Sequence, residues 1–484
     1  MGSPAVPARD AAPPNILWLC SDQQRFDALG CYGNPFVATP HIDRLAASGV
    51  LFEQAYCQSP VCTPSRSSFL TGRYPRTTRC RANGQDIPAD EVLVTRLLAD
   101  AGYTCGLAGK LHLSACHPDA SPAGERRIDD GYAEFHWSHH PAPEWPTNEY
   151  IRWLRERGAA YRTPPFEGSR HVRRGMPEAL HQTTWCAEKA IGFIEQNARF
   201  RRPWLMSVNM YDPHHPFDPP EDLLLRYAAG LDDLPLPNFV PGELDHKPAV
   251  QARRRGKAGD PPGEYPAAAM APADHRWLRA AYWAMCDLID RQVGRILAAL
   301  EASGQAGNTI VIFMSDHGEL LGDHGMYLKG PFFYDPCVHV PLIVSCPGRI
   351  APGRWGGLAE LLDLAPTLLE AAGLPPHPGM QGRSLWASLT GRAAPPARSD
   401  VYSEFYPGAA PDGFVTMLRT LTHKLVAHHG TGTGELYDLR TDPLESENRW
   451  DDGACVAEKA ALLSRLCDRM AWTADPLPAR RAPW

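Results

Sequence analysis

Two stretches, NILWLCSDQ at residues 15–23 and TIVIFMSDHG at residues 309–318, share one pattern, a nearly continuous apolar run followed at once by Ser-Asp. A short apolar run bounded by polar residues is typical of a strand that is buried on both faces. Such strands belong to parallel sheets, which carry helices on each side. The two stretches therefore predict inner strands of an α/β sheet, each followed by an aspartate.

Further apolar runs and amphipathic patterns extend this predicted sheet. The other runs of strand length lie at 104–108, 204–210 and 341–346. The helical patterns lie at 41–49, 91–102, 183–197 and 277–304. Apolar strands that alternate with amphipathic helices predict an α/β fold, with a large, mostly parallel sheet sandwiched by helices. Such sheets bind ligands at the carboxyl ends of their strands.

The sequence changes character near residue 376, where a Pro-rich connector begins. Short strand patterns follow at 401–405, 416–420, 423–428 and 435–439, and a helical pattern lies near 453–471. Short strands separated by turn residues indicate an antiparallel sheet. Because 484 residues exceed what one hydrophobic core usually serves, we expect a large α/β domain over 1–375 and a smaller C-terminal domain over 376–484.

Composition argues against several classes of protein. The formal net charge is −7, and the basic run RRRGK at 253–257 is short, so that we expect no nucleic-acid partner. The N-terminus lacks the apolar segment of a signal peptide, and no run approaches the ~20 apolar residues of a membrane span. The 13 cysteines show no paired zinc spacing, which suits a reducing compartment. We therefore expect a cytoplasmic protein without a membrane partner, and the sequence leaves a homo-oligomer open.

Polar residues at the ends of the two opening stretches predict a cation site. Asp22 and Asp316 each follow a strand, and either one alone could simply cap a turn. Together they favour one divalent cation held by oxygen ligands, with Gln23 and His317 as neighbouring potential ligands.

Other polar residues follow the remaining strands. Lys110 and His112, two residues apart on a segment expected to be extended, would point the same way and could face one anion. The prolines of DPHHP at 212–216 keep the chain out of a helix and can fix His214 at the rim of the sheet, although a lone histidine is usually structural. Lys329 follows soon after the second aspartate, where a plain surface lysine is the alternative.

The stretch SPVCTPSRSSFLTGRYP at 59–75 predicts a short helix that Pro64 helps to start and Gly72 ends. Cys62 then lies at the helix N-terminus, where the helix dipole and unpaired N–H groups favour negative charge, with Arg66 one turn on. This position fits a thiol nucleophile. A thiolate beside a hard cation with oxygen ligands is nevertheless chemically unfavourable, because sulfur prefers softer metals.

The residues around Cys62 resemble the signature of the type I sulfatases, within the alkaline phosphatase superfamily. The resemblance rests on Cys62-Thr63-Pro64-Ser65-Arg66, followed by Leu70-Thr71-Gly72-Arg73. It extends over nearly the whole chain, through Asp22, Gly109-Lys110-x-His112, Pro213-His214, Ser315-Asp316-His317-Gly318, Lys329, Val340-Pro341-Leu342, Glu435-Leu436-Tyr437-Asp438-Leu439 and Asp442-Pro443. In this family the cysteine is converted to formylglycine, and a formylglycine-generating enzyme that reads the Cys-x-Pro-x-Arg core is thus implied as a partner.

The resemblance also implies roles for the site residues. The ligands of one cation, usually calcium, would be Asp22, Gln23, the modified Cys62, Asp316 and His317. Arg66 and Lys110 would hold the aldehyde hydrate, and His112 would take its second proton. His214 and Lys329 would grip the sulfate and assist departure of the alcohol. One oxygen of the hydrate would attack sulfur, and deprotonation of the other would expel the sulfate.

Two positions depart from the commonest family pattern. Many members have Asp where this chain has Gln23, and Asn where it has His317. Choline sulfatases and phosphonate monoester hydrolases resemble this Gln and His version, so Mn²⁺ and Mg²⁺ compete with Ca²⁺ as the predicted metal.

We predict a sulfuric ester hydrolase of the arylsulfatase type. A phosphonate monoester or phosphodiester hydrolase that uses the same site is the alternative. Two further hypotheses, which the sequence favours less, are a hydrolase with a cysteine nucleophile and a non-catalytic metal-binding protein. The irregular segments 114–150 and 212–275, with Asn83, Tyr211 and His215, are predicted to contact the organic part of the substrate, since long irregular segments in large domains are often binding loops.

Overall fold

The computed structural model describes residues 12–256, 265–407, 413–478 and 482. Residues 1–11 of the N-terminal segment, Lys257 of RRRGK and residues 257–264 of the irregular segment 212–275 lie outside the described residues. The strands are β1 (Asn15–Ser21), β2 (Val50–Phe52), β3 (Ala55–Tyr56), β4 (Thr104–Gly109), β5 (Glu134–Trp137), β6 (Pro165–Phe166), β7 (Ser169–Arg173), β8 (Trp204–Asn209), β9 (Thr309–Ser315), β10 (Leu342–Ser345), β11 (Gly353–Trp355), β12 (Ala359–Glu360), β13 (Val401–Phe405), β14 (Val415–Arg419), β15 (His423–His428) and β16 (Gly434–Asp438). The α-helices are α1 (Pro40–Ala47), α2 (Cys62–Thr71), α3 (Pro75–Thr78), α4 (Val94–Asp100), α5 (Glu149–Glu156), α6 (Gln182–Asn197), α7 (Glu221–Leu225), α8 (Ala249–Gly256), α9 (Pro272–Ala302), α10 (Asp335–Val338), α11 (Leu364–Ala371), α12 (Trp386–Leu389) and α13 (Val456–Trp472).

The main sheet has eight strands in the order β11-β2-β10-β9-β1-β8-β4-β5. Its five strands from β9 to β5 are all parallel. This confirms the predicted large, mostly parallel sheet, with the two opening stretches as the neighbouring strands β1 and β9. Strand β10 runs antiparallel to β9. The reason is that the chain between Ser315 and Leu342 contains only a 3-10 turn at Asp323–Gly325 and the short helix α10, and no crossover helix, so it returns along the sheet from the edge at which it left.

Apolar layers cover both faces of the main sheet, as the continuous apolar runs predict. Along β1, Ile16, Trp18 and Cys20 pack in one core together with residues of α2, α4 and α11. Leu17 and Leu19 pack in a second core, on the other face, with residues of α1, α6 and α9. Buried strands with helices on both faces leave the strand ends as the place where polar side chains can gather.

The C-terminal part contains the expected antiparallel sheet, with strand order β13-β14-β15-β16 and the helix α13 packed against it. The main core nevertheless also includes Val401 and Met417 of this sheet, so one apolar cluster joins both parts. The division at residue 375 stays a prediction.

Two further observations concern the chain as a whole. None of the helices over the described residues combines the length and apolar character that crossing a bilayer requires. All 13 cysteines are free thiols.

Candidate active site

The register of the main sheet brings the two aspartates together. Ser21 at the end of β1 pairs with Ser315 at the end of β9, so Asp22 and Asp316 leave neighbouring parallel strands at the same edge. Lys110 follows β4 at this edge, where Gly109 has φ 107° and its backbone passes so close to β8 that a Cβ would lie 1.9 Å from the Asn209 carbonyl oxygen. His214 follows β8 at the same edge. The sequence thus delivers its predicted polar residues to one place.

Four buried side chains form a group that could hold a metal. The ligand atoms of Asp22, Cys62, Asp316 and His317 all lie within 4.8 Å of one another. The Nδ1 atom of His317 is 3.0 Å from the Gly318 carbonyl oxygen, and its Nε2 atom is 3.1 Å from the Cys62 sulfur. With the proton on Nδ1, Nε2 presents a lone pair to the group. Two carboxylates and an imidazole suit a hard or intermediate divalent cation, and an oxygen in place of the sulfur would suit it better.

Gln23 lies beside this group in a left-handed conformation, with φ 68°. Its backbone N–H donates to Asp316 Oδ1 at 3.0 Å. Its side-chain oxygen accepts a short hydrogen bond from Lys329, and its side-chain nitrogen donates a short one to Glu319. The role of Gln23 as a cation ligand stays a prediction.

Cys62 begins helix α2, and Pro64 lies in the first turn, where helix N–H groups lack intrahelical partners. Gly72 ends the helix with φ 69°, as predicted. The Cys62 sulfur lies 3.4 Å from Lys329 Nζ and 3.5 Å from Lys110 Nζ. Burial acts to raise the pKa of Cys62, but Lys110, Lys329 and His317 outweigh it and hold the pKa well below its ordinary value. The site therefore stabilises an anion at this position.

The guanidinium of Arg66 contacts the two carboxylates of the cation group. Its Nε atom is 2.8 Å from Asp316 Oδ2, its Nη2 atom is 3.2 Å from Asp22 Oδ2, and its Nη1 atom is 2.9 Å from the Lys110 carbonyl oxygen. The guanidinium thus ties together the two aspartates and the end of β4. The role of holding the aldehyde hydrate, which the resemblance implies for Arg66, is not visible in these contacts and stays a prediction.

Lys110 and His112 both face Cys62, but not along an extended segment as the sequence suggests. His112 has φ 57°, a left-handed conformation that turns the chain back towards the site. Lys110 Nζ also contacts Asp22 Oδ2 at 2.5 Å. Burial and the neighbouring Lys110 lower the pKa of His112 to about 4, so its ring is neutral near pH 7 and able to accept a proton.

His214 stacks on His215, with ring centroids 4.1 Å apart. Its Nδ1 atom donates to the His215 carbonyl oxygen at 2.6 Å, which leaves a lone pair on Nε2. Burial and Lys329 lower the pKa of His214 to about 4. His214 is therefore a half-buried neutral imidazole.

A cavity of about 470 Å³ opens beside these residues. Its lining includes Cys62, Asn83, Lys110, His112, Cys116, His117, His139, His140, Tyr211, His214, His215 and Lys329. The segments 114–150 and 212–275, predicted to contact the substrate, thus both contribute to its walls. Asn83 Oδ1 also accepts the Thr63 N–H at 3.0 Å, one of the free N–H groups at the start of α2.

Two glutamates, the half-buried Glu125 and the buried Glu319, support the site and carry no distinguishing signal in the sequence. Glu125 accepts the N–H groups of His112 at 2.9 Å and of Ser114 at 3.3 Å, and so holds the turn that His112 makes. Glu319 accepts a hydrogen bond from the side-chain amide of Gln23 and so holds that side chain in place. Each lies in a segment without regular pattern, where only the folded chain shows which backbone groups need an acceptor.

The chain matches a protein-family model described as Sulfatase over residues 14–374. A second model, described as N-sulphoglucosamine sulphohydrolase, C-terminal, matches residues 322–471. The two matches together cover both the edge of the main sheet and the C-terminal sheet.

Similar proteins include enzymes for different esters. An arylsulfatase of Clostridium perfringens is 30% identical over 454 residues, 90% of this chain and 90% of the relative. A choline-sulfatase of Rhizobium meliloti is 27% identical over 93% of this chain and 85% of its own length. The solved structure of a phosphonate monoester hydrolase of Agrobacterium radiobacter superposes with a TM-score of 0.83 at 27% identity, over 96% of this chain and 97% of that one.

Proposed function

We propose, since this chain belongs to the sulfatase family, that it hydrolyses a sulfuric monoester with a nucleophile made from Cys62 and with one divalent cation. The observation that carries the proposal is the position of Cys62. Its sulfur lies among Lys110, Lys329 and His317 and 3.7 Å from Asp22 Oδ1, at the floor of the cavity. The family implies that a formylglycine-generating enzyme converts this residue, and the hydrated aldehyde would supply the attacking oxygen.

The surrounding side chains can bind the sulfate and move protons. Lys110 and Lys329 flank the nucleophile and would neutralise charge that develops on the sulfate oxygens. His112 is neutral near pH 7 and can accept a proton. Lys329 and the Nε2 atom of His214 would lie against the sulfate and the departing alcohol.

A calcium ion fits the proposed cation site best, and Mn²⁺ and Mg²⁺ are the alternatives. The buried donor set of two carboxylates and an imidazole supports a divalent cation, and the oxygen-rich part of the set favours a hard one. When bound, the ion would act as a Lewis acid on the sulfate and hold the nucleophile in place. Arg66 would keep both carboxylates oriented towards it.

Removal of the cation should destabilise the fold. A ligand that binds only the folded state adds about 2.7 kcal/mol at a hundredfold excess over its Kd, so we expect EDTA to lower the melting temperature and CaCl₂ in excess to restore it. Differential scanning calorimetry measures both steps. The Asp316→Asn variant is the control, because it should already lack the ion and respond to neither reagent. An equal response of this variant would contradict the assignment.

The charge of the site predicts which esters it prefers. Asp22 and Asp316 balance a divalent cation, so Arg66, Lys110 and Lys329 leave the site net positive and suited to an anion. Sulfate monoesters, phosphonate monoesters and phosphodiesters carry one negative charge, whereas phosphate monoesters near neutral pH mostly carry two. Donors placed for a monoanion gain less from the transition state of a dianion, which puts less new charge on the nonbridging oxygens.

We therefore expect kcat/KM for phenyl sulfate or a phenyl phosphonate to exceed that for phenyl phosphate by at least about tenfold, or 1.4 kcal/mol. Steady-state kinetics on the three esters measures this. Phosphonate hydrolysis is the second candidate function, and the similarity to the Agrobacterium radiobacter enzyme supports it. The ratio of the first two esters decides between the candidates, and a preference for the phosphate would contradict both.

A further inference from the structure

Two of the partners of the Gln23 amide differ in kind, and they set its orientation. The ammonium of Lys329 can only donate, so it fixes the amide oxygen on the side of Lys329 and Cys62. The carboxylate of Glu319 accepts from the amide nitrogen and fixes it on the opposite side. The amide oxygen thus faces the site, and the N–H₂ group faces Glu319, with His215 Nδ1 3.5 Å from the same nitrogen.

Glu319 is fully buried, and the structure gives each of its oxygens a separate task. Oε1 accepts the backbone N–H of Leu321 at 2.9 Å and that of Leu328, the residue before Lys329. Oε2 accepts the Gln23 amide. No Lys or Arg forms an ion pair with Glu319 among the described residues, so its partners are amide N–H groups.

We propose that Glu319 is a positioning residue, which turns the amide oxygen of Gln23 towards the cation site. The inference rests on the proposed cation site. Without Glu319 the orientation would rest on Lys329 alone, and the amide would be held less firmly against the rotation that presents its N–H groups to the cation, which repel it. Glu319 therefore makes a neutral side chain usable as a cation ligand.

Substitution by glutamine separates the two tasks of Glu319. In Glu319→Gln the new amide oxygen can still accept the N–H groups of Leu321 and Leu328, so the loop that carries Lys329 keeps its support. The new amide nitrogen, however, meets the nitrogen of Gln23. Two donors cannot bond each other, so the contact that holds the Gln23 amide nitrogen is lost, and the amide oxygen is no longer held firmly towards the cation site.

The experiment is a cycle of three variants, Glu319→Gln, Gln23→Glu and the double variant, titrated with Ca²⁺ by calorimetry on metal-free protein. Mass spectrometry confirms that all preparations carry the same modification of Cys62. We expect Glu319→Gln to bind Ca²⁺ at least about tenfold more weakly than the wild type. We expect Gln23→Glu alone also to bind more weakly, because its carboxylate then faces Glu319. The double variant restores a donor opposite an acceptor and should regain at least wild-type affinity.

Asp290→Asn is the matched control, since Asp290 is another buried carboxylate that accepts backbone N–H groups, those of His41 and Ile42, and belongs to no group of potential metal ligands among the described residues. Its Ca²⁺ affinity should equal that of the wild type. Tighter binding by Gln23→Glu alone would mean that charge and not orientation decides, and would overturn the inference. So would unchanged binding by Glu319→Gln.

The same titration separates this inference from the proposed function. A wild-type protein that binds one Ca²⁺ while Glu319→Gln binds equally well leaves the proposed function intact and overturns only the role of Glu319. A wild-type protein that binds no Ca²⁺, Mn²⁺ or Mg²⁺ overturns both. If Glu319→Gln does not fold, the double variant decides alone, and failure of both variants to fold would show that Glu319 serves stability and not orientation.

Discussion

Replacement of Cys62 by alanine should lower kcat/KM by at least about 10³-fold, the largest effect that we expect from any single substitution. In the proposed mechanism the Cys62 position supplies the attacking atom, and loss of a covalent nucleophile typically costs more than loss of any one supporting group. Since the cysteine makes its closest contacts with charged groups rather than with the apolar core, the variant should still fold. Hydrolysis of an aryl sulfate by the two purified proteins measures the ratio.

Cys57 provides a matched control for this experiment. It is fully buried, lies outside the cavity lining and belongs to the same tryptic peptide, residues 45–66. Cys57→Ala should keep its activity, and its peptide should show an aldehyde in place of the one remaining thiol. Full activity of Cys62→Ala would exclude the proposed nucleophile. An unmodified peptide from a host that lacks the formylglycine-generating enzyme would not exclude the proposed nucleophile, because Cys62 then stays unconverted.

Replacement of Asp316 by alanine should remove both the cation and nearly all activity. Asp316 accepts from Arg66 Nε at 2.8 Å and from the N–H groups of Gln23 and His317 at 3.0 and 2.9 Å. Its loss leaves the buried guanidinium of Arg66 without one of its two carboxylates, and breaking a buried pair typically costs about 3–5 kcal/mol. We therefore expect a lower free energy of unfolding together with loss of the bound metal. Elemental analysis and chemical denaturation measure the two effects.

Asp290→Ala separates the two effects of that substitution. Asp290 is also buried and accepts backbone N–H groups, those of His41 at 3.0 Å and Ile42 at 2.7 Å, but it lies in α9 and is not a member of the cation group. Its loss should lower stability and leave the metal content unchanged. Full metal content in both Asp316→Ala and Asp22→Ala would exclude the proposed ligand set.

The sequence predicts those features that depend on local pattern. Apolar runs place β1 and β9 within one residue of their observed ends, because strands buried on both faces need continuous apolar side chains. Pro64 and Gly72 predict that Cys62 lies at a helix start, because proline and glycine affect the backbone conformation of the residues next to them. Local pattern cannot show that β10 runs antiparallel to β9, because strand direction depends on the path of the chain between them.

Features that depend on long-range contacts escape prediction from the sequence. The side chain of Arg66 turns to Asp316 because a buried carboxylate 250 positions away requires a partner. The sequence also cannot predict the left-handed conformation of His112. That conformation depends on Glu125, which accepts the backbone N–H group of His112 in the folded chain. Family resemblance supplies the identity of such residues but not the atoms that they contact.

Gln23, His112 and Leu328 all have positive φ values, 68°, 57° and 69°, although none is glycine. Each such conformation costs on the order of 1 kcal/mol or more. His112 itself faces Cys62, and Gln23 and Leu328 are next in the chain to Asp22 and Lys329, whose side chains lie against Cys62. Selection for thermal tolerance would favour glycine at these positions, whereas selection for turnover would retain the side chains. Evolution and protein engineering therefore meet a trade-off between robustness and activity here. Substitutions at these three positions that raise the melting temperature are therefore the first in which to test for slower turnover.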